Sequence, residues 1–188
     1  MVGLKFKNQP TNVKGTQYGR DKLHARDRAL LALIYLTSGR INEVLKIIKD
    51  QFREMKELSY YPNPDPDVLV LRNFWVSKRK KGKRHPTLDL PLPRVGTFGP
   101  FTQLVEEYLE YLKKGEKLFP FGTSRAWVIV NHITGKWNHY FRAQSLSYQV
   151  NRIGSAMRVA KQRGVENPTT IAHYYKGNWL VDKEELKK

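Results

Sequence analysis

The residues of this chain that could carry chemistry are basic and phenolic. Arg40 stands beside a turn, six Lys or Arg crowd the run SKRKKGKRH from Ser77 to His85, His139 and Arg142 are spaced i and i+3, and Tyr174 and Tyr175 lie near the end. The i, i+3 spacing puts His139 and Arg142 on one helix face, where both can approach the same anion. The P-loop, GxGxxG, HExxH and EF-hand patterns are absent, and His85, His132 and His173 have no spacing that suggests metal. With no cysteine in the chain, disulfides, thiol nucleophiles and Cys-type zinc or iron–sulfur sites are excluded. No metal and no cofactor is expected. The charge balance points the same way as the candidate residues: 34 Lys and Arg against 17 Asp and Glu leave +17, and a polyanion is the first partner to consider. Each residue also has a plainer reading. Arg40 reads as a surface Arg at a helix junction, the basic run as a solvated face or a general phosphate-contacting patch, and the two Tyr as core or stacking aromatics.

Elements of three kinds must position these groups. The 188 residues suit one domain, and residues 1–20, without apolar period and with several Gly and Lys, read as a flexible basic tail or linker ahead of a domain over 21–188. From Asp21, Leu23, Leu30, Leu31, Leu33, Ile34 and Leu36 recur at helical spacing up to a stop at Gly39. A second helix follows with Ser38 as a candidate N-cap and Ile41, Val44, Leu45 and Ile48 on its buried face. The Pro-rich residues 62–66 separate this block from VLVLRNFWV (68–76), and TLDLPL supplies the partner of a β-hairpin whose tip is the basic run. Helical spacing returns over Phe101 to Leu112, from Thr123 or Ser124 to a stop at Gly135, from near Asn138, from Ser155 to Arg163, and from Thr169 through IAHYYK. Trp127 and Trp137 read as packing residues. The expected class is α+β, mainly α-helical, with a small antiparallel sheet.

The order of these boxes resembles the catalytic domain of the tyrosine recombinase (phage integrase) family over about residues 20 to 180. RDRALLALIYLTSGRINEVL is similar to the helix–turn–helix box that presents the family's first Arg, matched by Arg40 with Glu43 three residues on. NFWVSKRKKGKRHPTLDLPL resembles its Lys-bearing hairpin, and NHYFRAQSL its His-x-x-Arg box. In that family the nucleophilic Tyr lies about 35 residues after the box His, which selects Tyr174; Tyr175 is the alternative. Two departures stand beside the match. About nine residues before the Tyr the family has a His or Trp, where this chain has Val165, and the family's N-terminal DNA-clamping domain has no counterpart, as in a fragment, a minimal enzyme or a degenerate relative.

The resemblance implies metal-free cutting and rejoining of double-stranded DNA. Arg40 and Arg142 would stabilise the pentacovalent phosphorus, His139 would take the Tyr174 proton or position the phosphate, and Lys80, or Lys78 in the other hairpin register, would protonate the departing 5′-oxygen. Lys78, Arg79, Lys81, Lys83 and Arg84 would grip the DNA backbone. The resemblance further implies a tetrameric synapse on DNA, with the C-terminal Trp179, Leu180, Val181 and Leu186 docking on this domain or a neighbour. With no run of about 18 apolar residues and no apolar signal-peptide core at the start, the chain is expected inside the cell, in cytoplasm or nucleoid, with no membrane partner. The reading of another class is a catalytically inactive, recombinase-fold DNA-binding protein of architectural or regulatory role. A topoisomerase-like relaxing activity would share the chemistry without a defined site.

Overall fold

The computed structural model describes residues 17–58, 65–77 and 87–163. Six helices and three strands follow in the order α1 (Gln17–Thr37), α2 (Ile41–Val44), β1 (Phe52–Glu54), β2 (Val68–Trp75), β3 (Thr87–Pro93), α3 (Gly99–Glu110), α4 (Thr123–Thr134), α5 (Asn138–Ile153) and α6 (Ala156–Gln162), with short 3₁₀ turns between them. The chain is mainly helical with one small antiparallel sheet, the class read from its sequence. Among the described residues no helix is long and apolar enough to cross a membrane.

Helix α1 is the axis of the molecule. Its second half carries Ala29, Leu30, Ala32, Leu33 and Ile34 without solvent exposure, because α3, α4 and α5 all pack on it. Each Leu or Ile buried in this way contributes roughly 1.5–3 kcal/mol, and the interleaved Ala let neighbouring backbones approach. The helix begins at Gln17, so residues 17–20 belong to it and not to a tail; Tyr18 there packs against Tyr111, the rings tilted with centroids 5.4 Å apart.

The end of α1 departs from the expected pattern in an instructive way. The left-handed residue is Ser38 (φ 51°), not Gly39. Thr37 turns the chain by donating its hydroxyl to the Leu33 carbonyl at 2.6 Å and accepting the Gly39 N–H at 2.9 Å. Gly39 is needed for room, since a Cβ there would sit 2.7 Å from Thr37 Oγ1, 2.8 Å from the Phe74 ring and 3.1 Å from Val44 Cγ2. Nor is Ser38 the cap of the next helix. Arg40 is the N-cap residue, with Glu43 reaching back to its N–H at 2.6 Å. The second helix was expected to run to Ile48 but stops at Val44, because the following residues pair with the segment after α3: Leu118 N–H donates to Ile47 O and Lys49 N–H to Glu116 O.

The sheet has the order β1-β2-β3, all antiparallel. Strands β2 and β3 form the expected hairpin pair, from Val68 opposite Pro93 to Trp75 opposite Thr87, while β1 was not foreseen. A bulge between Leu71 and Phe74 has Asn73 at φ 51°. Gln51 satisfies it by donating to the Arg72 and Asn73 carbonyls at 2.8 and 2.9 Å. The bulge re-aims Phe74 onto Gly39 and so brings the end of β2 against the α1–α2 turn.

Helix α4 begins at Thr123 with Gly122 as N-cap, one residue before the expected cap, and ends at left-handed Gly135 as expected. Trp127 and Trp137 do not pack in the core: they are 50% and 65% exposed, facing solvent from α4 and from the N-cap of α5. The basic run Lys78, Arg79, Lys80, Lys81, Lys83 and Arg84, the Val165 position, the helix from Thr169 with Tyr174 and Tyr175, and the tail beyond lie outside the described residues.

Candidate functional site

Glu43 organises the site. Its carboxylate is 2% exposed, and a buried charge persists only if it is fully hydrogen-bonded and paired. Four donors meet it: Arg40 N–H at 2.6 Å on Oε2, and on Oε1 Arg40 Nη1 at 2.9 Å, Ser77 N–H at 2.8 Å and Ser77 Oγ at 2.7 Å. Arg40 also donates to the Ser77 carbonyl at 3.2 Å, so the turn before α2 and the chain leaving β2 are locked together. Ser77 is the residue on which the basic run begins.

Arg142 enters from the other half of the chain. It lies on α5, 5% exposed, with Nη1 donating to the Ser38 carbonyl and 4.0 Å from Glu43 Oε2. Arg40 and Arg142 therefore converge on one carboxylate. His139 shares the helix with Arg142 and is exposed at the N-terminal turn of α5.

Beneath Arg142 lies a layer of hydroxyls and an amide whose orientation follows from counting hydrogens. Ser145 gives its single hydroxyl proton to the Tyr35 carbonyl, so in the 2.8 Å contact between Ser38 and Ser145 the Ser38 hydroxyl is the donor. Gln149 Nε2 then donates to both hydroxyl oxygens, at 2.9 and 3.0 Å, which turns its Oε1 outward to accept Arg163 Nε at 2.7 Å. Arg163 follows α6, and burial together with the charge of Arg142 pushes its guanidinium down to about 10. Three guanidinium groups thus stand on one continuous network with a single carboxylate, a surplus of two positive charges among the described residues.

The arrangement suits an anion and offers little to a cation. Among the described residues no group of three or more His, Asp or Glu is placed to hold a metal ion. Of the site residues read from sequence, the structure brings Arg40 and Arg142 together and leaves His139 exposed one turn before Arg142 on α5; Lys78, Lys80, Tyr174 and Tyr175 fall outside the described residues. The reading missed Ser38, Ser77, Ser145, Gln149 and Arg163. The i, i+4 pair Ser145 and Gln149 on α5 was the one available signal, two small polar residues on a helix otherwise turned to the core. Comparison with family models, curated proteins and solved structures finds no match to this chain.

Proposed function

We propose that this protein cuts and rejoins double-stranded DNA through a 3′-phosphotyrosyl intermediate, with a tyrosine-recombinase-like fold and no metal. One observation carries the reading: Arg40 and Arg142, from opposite halves of the sequence, meet at Glu43 and leave the site net cationic. Two guanidinium forks held in place by a buried carboxylate are what a pentacovalent phosphorus needs, since its charge develops where fixed donors already point. The second support is Ser77, tied to the same carboxylate, which starts the Lys-rich run at the edge of that site.

In the proposed step the Tyr174 oxygen, deprotonated with help from His139 and the surrounding cations, attacks phosphorus. The O–P bond to tyrosine forms as the bond to the 5′-oxygen breaks, and Lys80 or Lys78 gives that oxygen a proton. The reverse reaction, with a free 5′-hydroxyl as nucleophile, rejoins the strand without ATP because the phosphotyrosyl ester keeps the bond energy. Assembly into a tetramer on two duplexes belongs to the same proposal.

The test is trapping on a nicked duplex that loses its 5′-hydroxyl fragment after cleavage. The expected product is a protein–DNA adduct that survives denaturation, forms equally in EDTA, and disappears in Tyr174→Phe. An adduct lost in Tyr175→Phe instead moves the nucleophile by one residue. Salt-sensitive binding with no adduct in any chain leaves a non-catalytic DNA-binding protein, and an adduct that needs Mg²⁺ removes the tyrosine mechanism.

A further inference from the structure

Two guanidiniums suffice for the reading above, yet the network holds three. Arg163 uses Nε on Gln149, at 2.7 Å, while its Nη1 is shut off from solvent and has no hydrogen-bond partner. A buried charged donor left unmade is among the costlier features a fold can carry. The charge of Arg142 bears on it, and among the described residues Glu43 is the only carboxylate on the network, already engaged by four donors. A strut for the fold would be built otherwise, with a carboxylate or carbonyl at the orphan nitrogen. Nor is Arg163 loosely placed: the hydroxyl accounting at Ser38 and Ser145 fixes the Gln149 amide, and the amide fixes Nε, so the orphan end of the fork is held in position in the absence of any ligand.

We propose that Arg163 is a third anion contact of this site, its Nη1 binding an oxygen of the same phosphate-class group that Arg142 and Arg40 address. The inference rests on the DNA-cleavage reading for the identity of the substrate, a phosphodiester, but the anion site itself does not require cleavage. A tetrahedral anion offers oxygens in several directions at once, which lets it meet donors arriving from the α1–α2 turn, from α5 and from the end of α6.

The experiment is thermal unfolding of the full chain against inorganic phosphate, with sodium chloride at matched ionic strength as control, for the native chain, Arg163→Gln and Arg163→Lys. Phosphate is expected to raise the native midpoint saturably. Without phosphate, Arg163→Gln should unfold at the native temperature or above it, because a cation is removed from beside Arg142, and its apparent phosphate affinity should fall about tenfold or more. Arg163→Lys, which keeps the charge but not the fork, should fall between the two. A native chain indifferent to phosphate overturns the proposal. So does an Arg163→Gln chain of lowered midpoint and undiminished phosphate response, or one that fails to fold while Arg163→Lys binds phosphate as the native chain does; each marks a strut. Trapping on nicked duplex with the same proteins separates the two proposals. Phosphate binding that depends on Arg163 without any adduct keeps the anion site and removes the recombinase, whereas an adduct formed equally well by Arg163→Gln with native phosphate response keeps the recombinase and removes this contact.

Discussion

Two arginine clusters in this molecule are built on opposite principles. Arg94 spends all five of its N–H groups: Nε and Nη2 on Glu106 at 2.8 and 2.7 Å, Nη1 and Nη2 on Glu54 at 2.8 and 2.5 Å, and Nη1 again on the Pro66 carbonyl at 2.9 Å. One cation with two carboxylates ties β1, α3 and the segment leading into β2, each side chain a quarter to a third exposed. The cluster of Arg40, Arg142 and Arg163 inverts the ratio, three cations to one carboxylate, buries that carboxylate and Arg142 almost completely, and leaves a donor unmade. A saturated guanidinium fastens a fold; an unsaturated one among like charges is preorganised for something that arrives later.

The sharpest way to break the comparison is to remove charge from each side. Glu43→Gln should destabilise the chain by about 3–5 kcal/mol in urea unfolding, because it removes the buried carboxylate that faces Arg142, whereas Glu106→Gln in the solvent-reached cluster should cost under about 1 kcal/mol. Similar losses would erase the distinction. Next in size is the geometry of the fork. Arg142→Lys should slow adduct formation on nicked duplex by about 10²–10³-fold, roughly 3–4 kcal/mol, while Arg94→Lys should leave the rate alone; equal rates for native chain and Arg142→Lys would mean that Arg142 does not meet the reacting phosphate.

The two clusters should also differ in salt. Replacing Lys80, Lys81 and Lys83 by Ala is expected to lower the slope of log affinity for duplex DNA against log salt by about 2 to 3, and Arg94→Ala should not change it. A flat salt dependence in the native chain would deny phosphate contact altogether. The smallest effect is acid sensitivity. Hydrogen bonds from Arg94 hold the Glu54 carboxyl below its ordinary value of 4.5, so its contribution to stability is complete above that value and is lost as pH falls through the lower folded value. Melting curves between about pH 6 and pH 3 should show a loss that is shallower in Arg94→Ala; identical slopes would assign the acid response elsewhere.

Periodicity made the helices and the hairpin legible, because burial on one side of α1 or β2 writes itself into every third, fourth or second residue. Arg40 and Arg142 are not singled out by periodicity: Arg40 stands beside a turn, Arg142 stands three residues after His139, and both take their roles from the order of the boxes. What periodicity could not show is distance through space. Ser77 reads as the first residue of a charged run, and only the bulge at Asn73, which swings Phe74 onto Gly39, delivers it to Glu43. Arg163 sits at a helix end among other Lys and Arg, with nothing in its neighbours to mark it. The spacing of His139 and Arg142 put them on one face correctly in angle, but one turn of rise separates the rim of the molecule from its interior. Gly39 and Ser38 exchanged roles because a Ser can enter the left-handed region when its hydroxyl gains partners, as Ser38 does with Ser145 and Gln149.

The network around Glu43 and Ser38 also bears on when the site comes into being. Its bonds join residues 34, 104, 107 and 111 positions apart, and none of the elements it links can supply it alone. Loops of that length close late, after local helices and the hairpin have formed, because their entropy must be offset by packing already in place. A nascent or half-folded chain carries the full positive charge yet has no assembled cluster of arginines. The long-range wiring acts as a maturation check: the fixed arrangement of these arginines appears only with the completed fold and vanishes at the first global opening.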